Sequence, residues 1–138
     1  MKTFSKVSRN LDMEHVLTVH GDDGLDEITI TTESTIVELK DYKIREYKIS
    51  PKDFGLNLAS FDEISANSSH DSLMLVKEAF SGESSAVQDM IALNSGAALY
   101  VARIVDSISD GIELAFELMN NGLAANKLAA YVRVSNKR

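Results

Sequence analysis

The sequence predicts an α/β fold in which strands come first and helices follow. Residues up to about position 49 are rich in Thr, Ile and Val, and the remainder is rich in Ala, Leu and Met. β-branched residues favour strands, whereas Ala, Leu and Met favour helices. Helix-start patterns in the second part of the chain begin at Ser50, Ser60, Ser85 and Ser107. A chain of 138 residues, 44% of them hydrophobic, is long enough for one domain with a core.

Two regions are predicted to form the sheet. The apolar run at residues 16–19 indicates a buried strand of the type found in parallel sheets. Residues 28–40 and 43–49 are β-branched and partly alternating, so they indicate two further strands. Asp41 and Tyr42 between them suggest a hairpin, although Tyr is unfavourable as the second residue of a tight primed turn. We therefore expect a partial mixed sheet, with one parallel-type strand and a hairpin.

The helices predicted from periodicity and capping residues follow the sheet, apart from one short helix at the start. The segment that Ser85 opens is apolar nearly all round, which is typical of a helix in the middle of a domain. Its residues Gly96, Ala97 and Ala98 would allow close approach of a neighbour. The helices are expected at residues 3–11, 70–80, 85–105, 107–121 and 123–134.

Charge and composition exclude several classes of protein. The formal net charge is −7, so the surface repels nucleic acid and anionic lipid, and we expect neither as a partner. A polyanionic substrate would need a bridging cation. Without Cys, no disulfide or thiolate zinc site can form, and we expect a cytoplasmic protein. The most apolar stretch, residues 91–105, is too short and too interrupted to span a bilayer, and the basic start is not followed by the apolar run of a signal peptide.

An acidic turn directly after the first predicted strand is the main candidate site. Residues 20–27 read H-G-D-D-G-L-D-E, with four carboxylates and two Gly. Ligands of open α/β sheets bind beyond the carboxyl ends of strands, and Mg²⁺ prefers one or two carboxylates together with waters and phosphates. Asp26 and Glu27 fit that requirement. The alternative is that the turn is simply solvated surface.

Other polar residues have structural interpretations that remain open. His20 lies beside the acidic turn and could act as a base, or could merely pack against the turn. Asn94 on the most apolar helix is expected to hydrogen-bond neighbouring backbone rather than substrate. Tyr100 is expected in the core. The spacing of His15, His20 and His70 does not suggest a metal site.

Several ordered motifs resemble those of anthranilate phosphoribosyltransferases. Residues 19–28, V-H-G-D-D-G-L-D-E-I, are similar to that family's V-H-G-x-D-G-L-D-E-I signature. Residues 50–56 resemble its P-x-D-F-G-L segment, and residues 93–102 resemble its L-N-A-A-A-A-L-Y-V-A helix. The resemblance extends in order over nearly the whole chain.

The resemblance implies an enzyme that transfers phosphoribosyl from phosphoribosyl pyrophosphate (PRPP) to anthranilate in tryptophan biosynthesis and releases pyrophosphate. It implies that Asp26 and Glu27 bind Mg²⁺, which holds the pyrophosphate. No residue of this chain is assigned as catalytic. The implied partners are PRPP, anthranilate, a missing N-terminal part and further copies of the same chain.

The chain also departs from the family pattern. The family's G-T-G-G-D phosphate loop and K-H-G-N-R segment precede the V-H-G motif and do not occur in this sequence. Residues 1–138 are therefore expected to be the C-terminal portion of a nucleoside phosphorylase/phosphoribosyltransferase-like α/β domain, without the N-terminal helical domain and inactive alone. Two alternatives stay open: a non-catalytic fragment or assembly module, and an enzyme related to the pyrimidine nucleoside phosphorylases.

Overall fold

The computed structural model describes residues 1–83 and 85–136 and confirms the α/β class. In these residues a three-stranded sheet is packed with α-helices and one short 3₁₀ helix. All five predicted helices are present, with small differences at their ends. The elements in chain order are α1 (Lys2–Asn10), β1 (His15–Gly21), β2 (Ser34–Lys40), β3 (Lys43–Ile49), the 3₁₀ helix (Pro51–Phe54), α2 (Phe61–Ile64), α3 (Ser69–Ala79), α4 (Ala86–Val101), α5 (Ile108–Asn120) and α6 (Leu123–Ser135).

The central strand of the sheet is β2. It pairs with β1 on one side and β3 on the other, and both pairings are antiparallel. The register places Val19 opposite Ile36, and Ile36 opposite Tyr47. The β2 residues Ile36 and Leu39 are fully buried. The sheet core therefore centres on β2.

The apolar run of β1 does not belong to a parallel pair in the part of the chain that the structure describes. Its strand partner there is β2, which runs antiparallel to it. The run is apolar because both faces of the strand are covered. Thr18 faces α1, where its hydroxyl lies 3.3 Å from that of Ser5, while Leu17 and Val19 pack against the core. A strand buried on both faces is apolar throughout, whether its neighbour runs parallel or antiparallel to it.

The strand predicted over residues 28–40 begins only at Ser34. The preceding residues are buried but irregular: Ile28 is 2% exposed, and Ile30 is fully buried. Their backbone groups bond to side chains instead of a strand, as when Thr29 N donates to Ser34 Oγ at 3.0 Å. Their β-branched composition therefore reflects burial rather than strand geometry.

The predicted hairpin is confirmed. Lys40 pairs with Lys43, so the connection between β2 and β3 has two residues. Asp41 and Tyr42 have φ values of 49° and 62°. Both therefore adopt the left-handed conformation that a primed turn requires, even though neither is Gly.

Serine caps begin α4 and α5 as predicted, with one difference at α4. Ser107 Oγ accepts from Asp110 N, and Ser85 Oγ accepts from Gln88 N, each at 3.1 Å. Ser85 and Gln88 have the spacing of a capping box, but the box is not reciprocal, because the Gln88 amide turns away from the cap. It donates instead to Ala79 O and Asn120 Oδ1, both at 3.0 Å. Gln88 thus joins α3, α4 and α5.

Helix α4 ends earlier than predicted, at Val101 rather than Val105. Arg103 has a φ of 57°, which reverses the chain after the last turn. Among residues 1–83 and 85–136, no helix combines the length and the apolarity that a bilayer crossing would require.

Helices α4 and α5 approach closely at two glycines. A Cβ added to Gly96 would lie 2.6 Å from Ile112 N, and one added to Gly111 would lie 2.8 Å from Gly96 Cα. No side chain fits at either position without movement of the backbone. The close approach predicted at Gly96 is therefore confirmed, and α5 supplies the neighbour.

Candidate functional site

The candidate site is the loop that leaves β1, and residues 22–27 are called the acidic loop below. Its first turn is closed by two backbone hydrogen bonds: Gly21 N donates to Leu25 O at 2.9 Å, and Gly24 N donates to Gly21 O at 3.0 Å. Gly24 has a φ of 98°, a conformation that side chains disfavour. The four acidic side chains therefore leave a compact turn rather than an open coil.

Asp23 is engaged inside the loop. Its Oδ2 accepts from the hydroxyls of Thr29 and Thr31, each at 2.5 Å, and its Oδ1 accepts from Leu25 N at 3.1 Å. Burial acts to raise the pKa of Asp23. The hydrogen bonds from Thr29, Thr31 and the Leu25 backbone outweigh that effect, so the pKa lies below its usual value of 3.8. Asp23 thus fixes the shape of the loop.

Asp22 is held from outside the loop. Lys48 on β3 donates to Asp22 Oδ2 at 2.5 Å and to Glu33 Oε2 at 3.3 Å. The contact with Asp22, followed by that with Glu33, raises the pKa of Lys48. Asp22 is therefore neutralised by a lysine and is a poor candidate for binding a cation.

Asp26 and Glu27 are different. Both are exposed, and within residues 1–83 and 85–136 neither side chain makes a hydrogen bond or an ion pair. Glu27 borders a surface cavity of about 360 Å³, whose other walls are Leu25, Phe61, Ile64, Ser65, Ala66 and Met90. Two adjacent carboxylates with free oxygens match the donor preference of Mg²⁺. The described residues contain no group of three or more His, Cys, Asp or Glu side chains that could hold a metal, so other ligands would have to be waters or a substrate.

Asn94 on α4 reaches the end of this segment. Its Oδ1 accepts from Ile28 N at 3.0 Å, and its Nδ2 donates to Ile28 O at 2.8 Å and to Met90 O at 3.0 Å. The expectation that Asn94 bonds neighbouring backbone is confirmed. The backbone concerned belongs to the residue directly after Glu27, which the sequence did not indicate.

The histidines are dispersed, as their spacing predicted. His20 is exposed on β1 next to the acidic loop, and His70 is exposed on α3. His15 is buried at the opposite end of β1, where its Nε2 lies 3.0 Å from Glu38 Oε1. The structure therefore does not bring the three histidines together.

A buried polar cluster around Glu38 was missed by the sequence reasoning. Tyr100 donates to Glu38 Oε1 at 2.8 Å, and Tyr47 donates to Oε2 at 3.3 Å. Desolvation, followed by the charge of Glu38, raises the pKa of Tyr47. The alternation of polar and apolar residues along β2 does not indicate that Glu38 is buried, and only its position on the central strand could have suggested burial.

Comparison with known proteins defines the class of the chain. The glycosyl transferase family, a/b domain, matches residues 1–125. The chain belongs to this family.

Within that family, the chain is similar to anthranilate phosphoribosyltransferases. It is 44% identical over 127 residues to the enzyme from Clostridium beijerinckii and 40% identical over 135 residues to that from Vesicomyosocius okutanii. These matches cover 92% and 98% of this chain but only 38% and 40% of the relatives. The chain thus spans about two fifths of the length of the curated relatives it matches.

Solved structures of the same kind of enzyme share the fold. The anthranilate phosphoribosyltransferase of Thermus thermophilus superposes with a TM-score of 0.82 at 28% identity, over 94% of this chain and 38% of that one. The Saccharomyces cerevisiae enzyme in complex with PRPP and Mg superposes with a TM-score of 0.71 at 21% identity, over 82% of this chain and 33% of that one.

Proposed function

We propose that this chain supplies the magnesium-binding part of an anthranilate phosphoribosyltransferase, with Asp26 and Glu27 as the protein ligands. The intact enzyme would join the amine of anthranilate to C1 of the ribose of PRPP and release pyrophosphate. Residues 1–138 would form the C-terminal portion of its α/β domain. The phosphate loop and the anthranilate-binding residues would come from a separate part of the enzyme.

The division of the acidic loop into engaged and free carboxylates carries this proposal. Asp22 is bound to Lys48, and Asp23 is bound to Thr29 and Thr31. Asp26 and Glu27 remain exposed on a segment whose neighbours are fixed. Among the four carboxylates of the loop, Asp26 and Glu27 therefore have the oxygens that are available to a cation, which supports the proposal.

The overall charge supports a need for a cation. A chain with a formal net charge of −7 repels a diphosphate. Bound at Asp26 and Glu27, Mg²⁺ would neutralise charge that develops on the leaving pyrophosphate. The residues of this chain would hold and orient the ion, and the transfer would depend chiefly on positioning and electrostatics.

The partners follow from the family. The yeast structure with PRPP and Mg, together with a second yeast structure with 4-fluoroanthranilate, supports PRPP and anthranilate as substrates. We further propose a cytoplasmic location, which is supported by the absence of Cys. Assembly into a homo-oligomer remains a prediction.

A complementation assay tests the function. The chain would be coexpressed with the N-terminal part of the Clostridium beijerinckii relative, and PRPP-dependent loss of anthranilate fluorescence would be measured at limiting Mg²⁺. The double variant Asp26→Asn/Glu27→Gln should lower kcat roughly 10²-fold, because charge stabilisation of the leaving group is lost.

The matched control is Glu113→Gln/Glu117→Gln, which removes the same charge from exposed positions on α5 and should leave kcat unchanged. Equal kinetics for the two double variants would refute the magnesium assignment. A stable complex without transferase activity would favour an assembly module, and phosphorolysis of pyrimidine nucleosides would favour the phosphorylase alternative.

A further inference from the structure

We propose that Asn94 is a positioning residue that holds Asp26 and Glu27 in a geometry ready to bind metal. This inference rests on the proposed function, because it assumes that those two carboxylates are the ligands. The side chain itself would touch neither the ion nor the substrate. Its effect would pass through the backbone of Ile28.

The hydrogen bonds of Asn94 leave its amide little freedom. Both amide protons are used, one on Ile28 O and one on Met90 O, and the amide oxygen accepts from Ile28 N. Met90 lies four residues earlier on the same helix, so one side chain ties the loop to α4. Ile28 is only 2% exposed, so water does not reach its backbone. The Asn94 amide supplies the hydrogen-bond partners of both its N–H and its C=O.

The other end of the segment is fixed independently. Leu25 O accepts from Gly21 N at 2.9 Å, and Leu25 N donates to Asp23 Oδ1 at 3.1 Å. Asp26 and Glu27 are thus the two residues between fixed points at Leu25 and Ile28. Their side chains are free while their backbone is held at both sides, which is the arrangement that preorganised ligands require.

The chain offers a matched control in Gln88. This residue is a buried amide on the same helix, and its Nε2 likewise donates to a backbone carbonyl, Ala79 O. Its partners lie on α3 and α5, away from the acidic loop. Loss of Gln88 should therefore lower stability without changing the metal site.

Binding of Mn²⁺ to the full 138-residue chain, in the presence of inorganic pyrophosphate, provides the test. Affinity would be read from paramagnetic broadening of the amide signals of residues 25–28, with urea unfolding in parallel. Asn94→Ala should raise the Kd for Mn²⁺ about tenfold, which is typical for loss of a group that orients a metal ligand. It should also accelerate hydrogen exchange of the Ile28 amide. Gln88→Ala should leave the Kd for Mn²⁺ unchanged.

A second variant, Asn94→Leu, retains the size of the side chain while removing all three hydrogen bonds, and should raise the Kd similarly. If Asn94→Ala and Asn94→Leu bind Mn²⁺ as the wild type does, or if Gln88→Ala weakens binding equally, the inference is overturned. Asp26→Asn/Glu27→Gln in the same titration separates the two levels. If that double variant still binds Mn²⁺, the proposed ligands are wrong. If the double variant loses binding while the Asn94 variants bind as the wild type does, only the positioning role is rejected.

Discussion

Carboxylates of the same acidic loop differ because their hydrogen-bond partners differ. Asp23 receives two threonine hydroxyls and a backbone N–H, whereas Asp26 receives none from the described residues. The sequence shows both only as acids beside Gly24. Thr29 and Thr31, six and eight residues after Asp23, bind its carboxylate, so Asp23 shapes the loop. Asp26 has no such partner in the described part of the chain and remains available to bind a cation.

The lowered pKa of Asp23 predicts a pH dependence of stability. A carboxylate whose pKa is lower in the folded protein contributes stability above its unfolded value of 3.8, and this contribution disappears as pH falls through the folded value. At pH 7, Asp23→Asn should reduce the free energy of unfolding by about 1 kcal/mol, a figure discounted for the exposure of the residue. The difference from wild type should shrink below about pH 4. Urea titrations across pH 3–7 would measure it.

The exposed Glu113→Gln is the control for that experiment, since it removes a carboxylate that has no hydrogen-bond partner among the described residues. A constant difference between wild type and Asp23→Asn down to pH 3 would show that the carboxylate charge does not stabilise the loop.

At the scale of the elements, the close packing of α4 against α5 depends on two glycines at the point where the helices cross. Gly96 and Gly111 bring the two backbones together, so neither position gains from the usual preference of helices for Ala. Serine caps and apolar periodicity predicted the two helices. The contact itself depends on which faces meet, and periodicity does not specify that.

Replacement of Gly111 tests the crossing. Gly111→Ala should destabilise the protein by about 2–3 kcal/mol, because its Cβ would lie within 3 Å of the Gly96 backbone. Ser109→Ala, at an exposed position on the same helix, should change stability little. Urea unfolding of both variants measures the difference. A stabilised Gly111→Ala variant would mean that the helices can separate without cost.

At the scale of the molecule, the α/β class, the hairpin and all five of the helices predicted from sequence are present in the structure. The sequence did not predict the direction of β1 or the irregular path of residues 28–33, because burial and strand geometry favour the same residues. Residue type and position identified the acidic loop and the fit of Asp26 and Glu27 to Mg²⁺, and the family resemblance implied the same pair. Asn94 was expected to bond backbone, but its bond to Ile28 and the contact of Glu38 with His15 join residues more than 20 positions apart, and local pattern could not predict either partner.

The isolated chain should not catalyse transfer. The family's G-T-G-G-D and K-H-G-N-R segments do not occur in this sequence. By the family resemblance, transfer is expected to need that phosphate loop, so we expect no turnover without it. Purified protein incubated with PRPP, anthranilate and Mg²⁺ should show no loss of anthranilate fluorescence. The coexpressed complex serves as the positive control. Turnover by the purified chain alone would contradict the prediction.

The two polar attachments of α4 have a mechanical consequence. Tyr100 joins the helix to Glu38 on the central strand, and Asn94, six residues earlier and therefore about 9 Å along the axis, joins it to the backbone beyond β1. A helix attached at two separate heights cannot roll or slide without breaking one attachment. Loss of the Glu38 contact should therefore allow α4 to shift. The hydrogen bonds between Asn94 and Ile28 would carry that shift to the segment that contains Asp26 and Glu27.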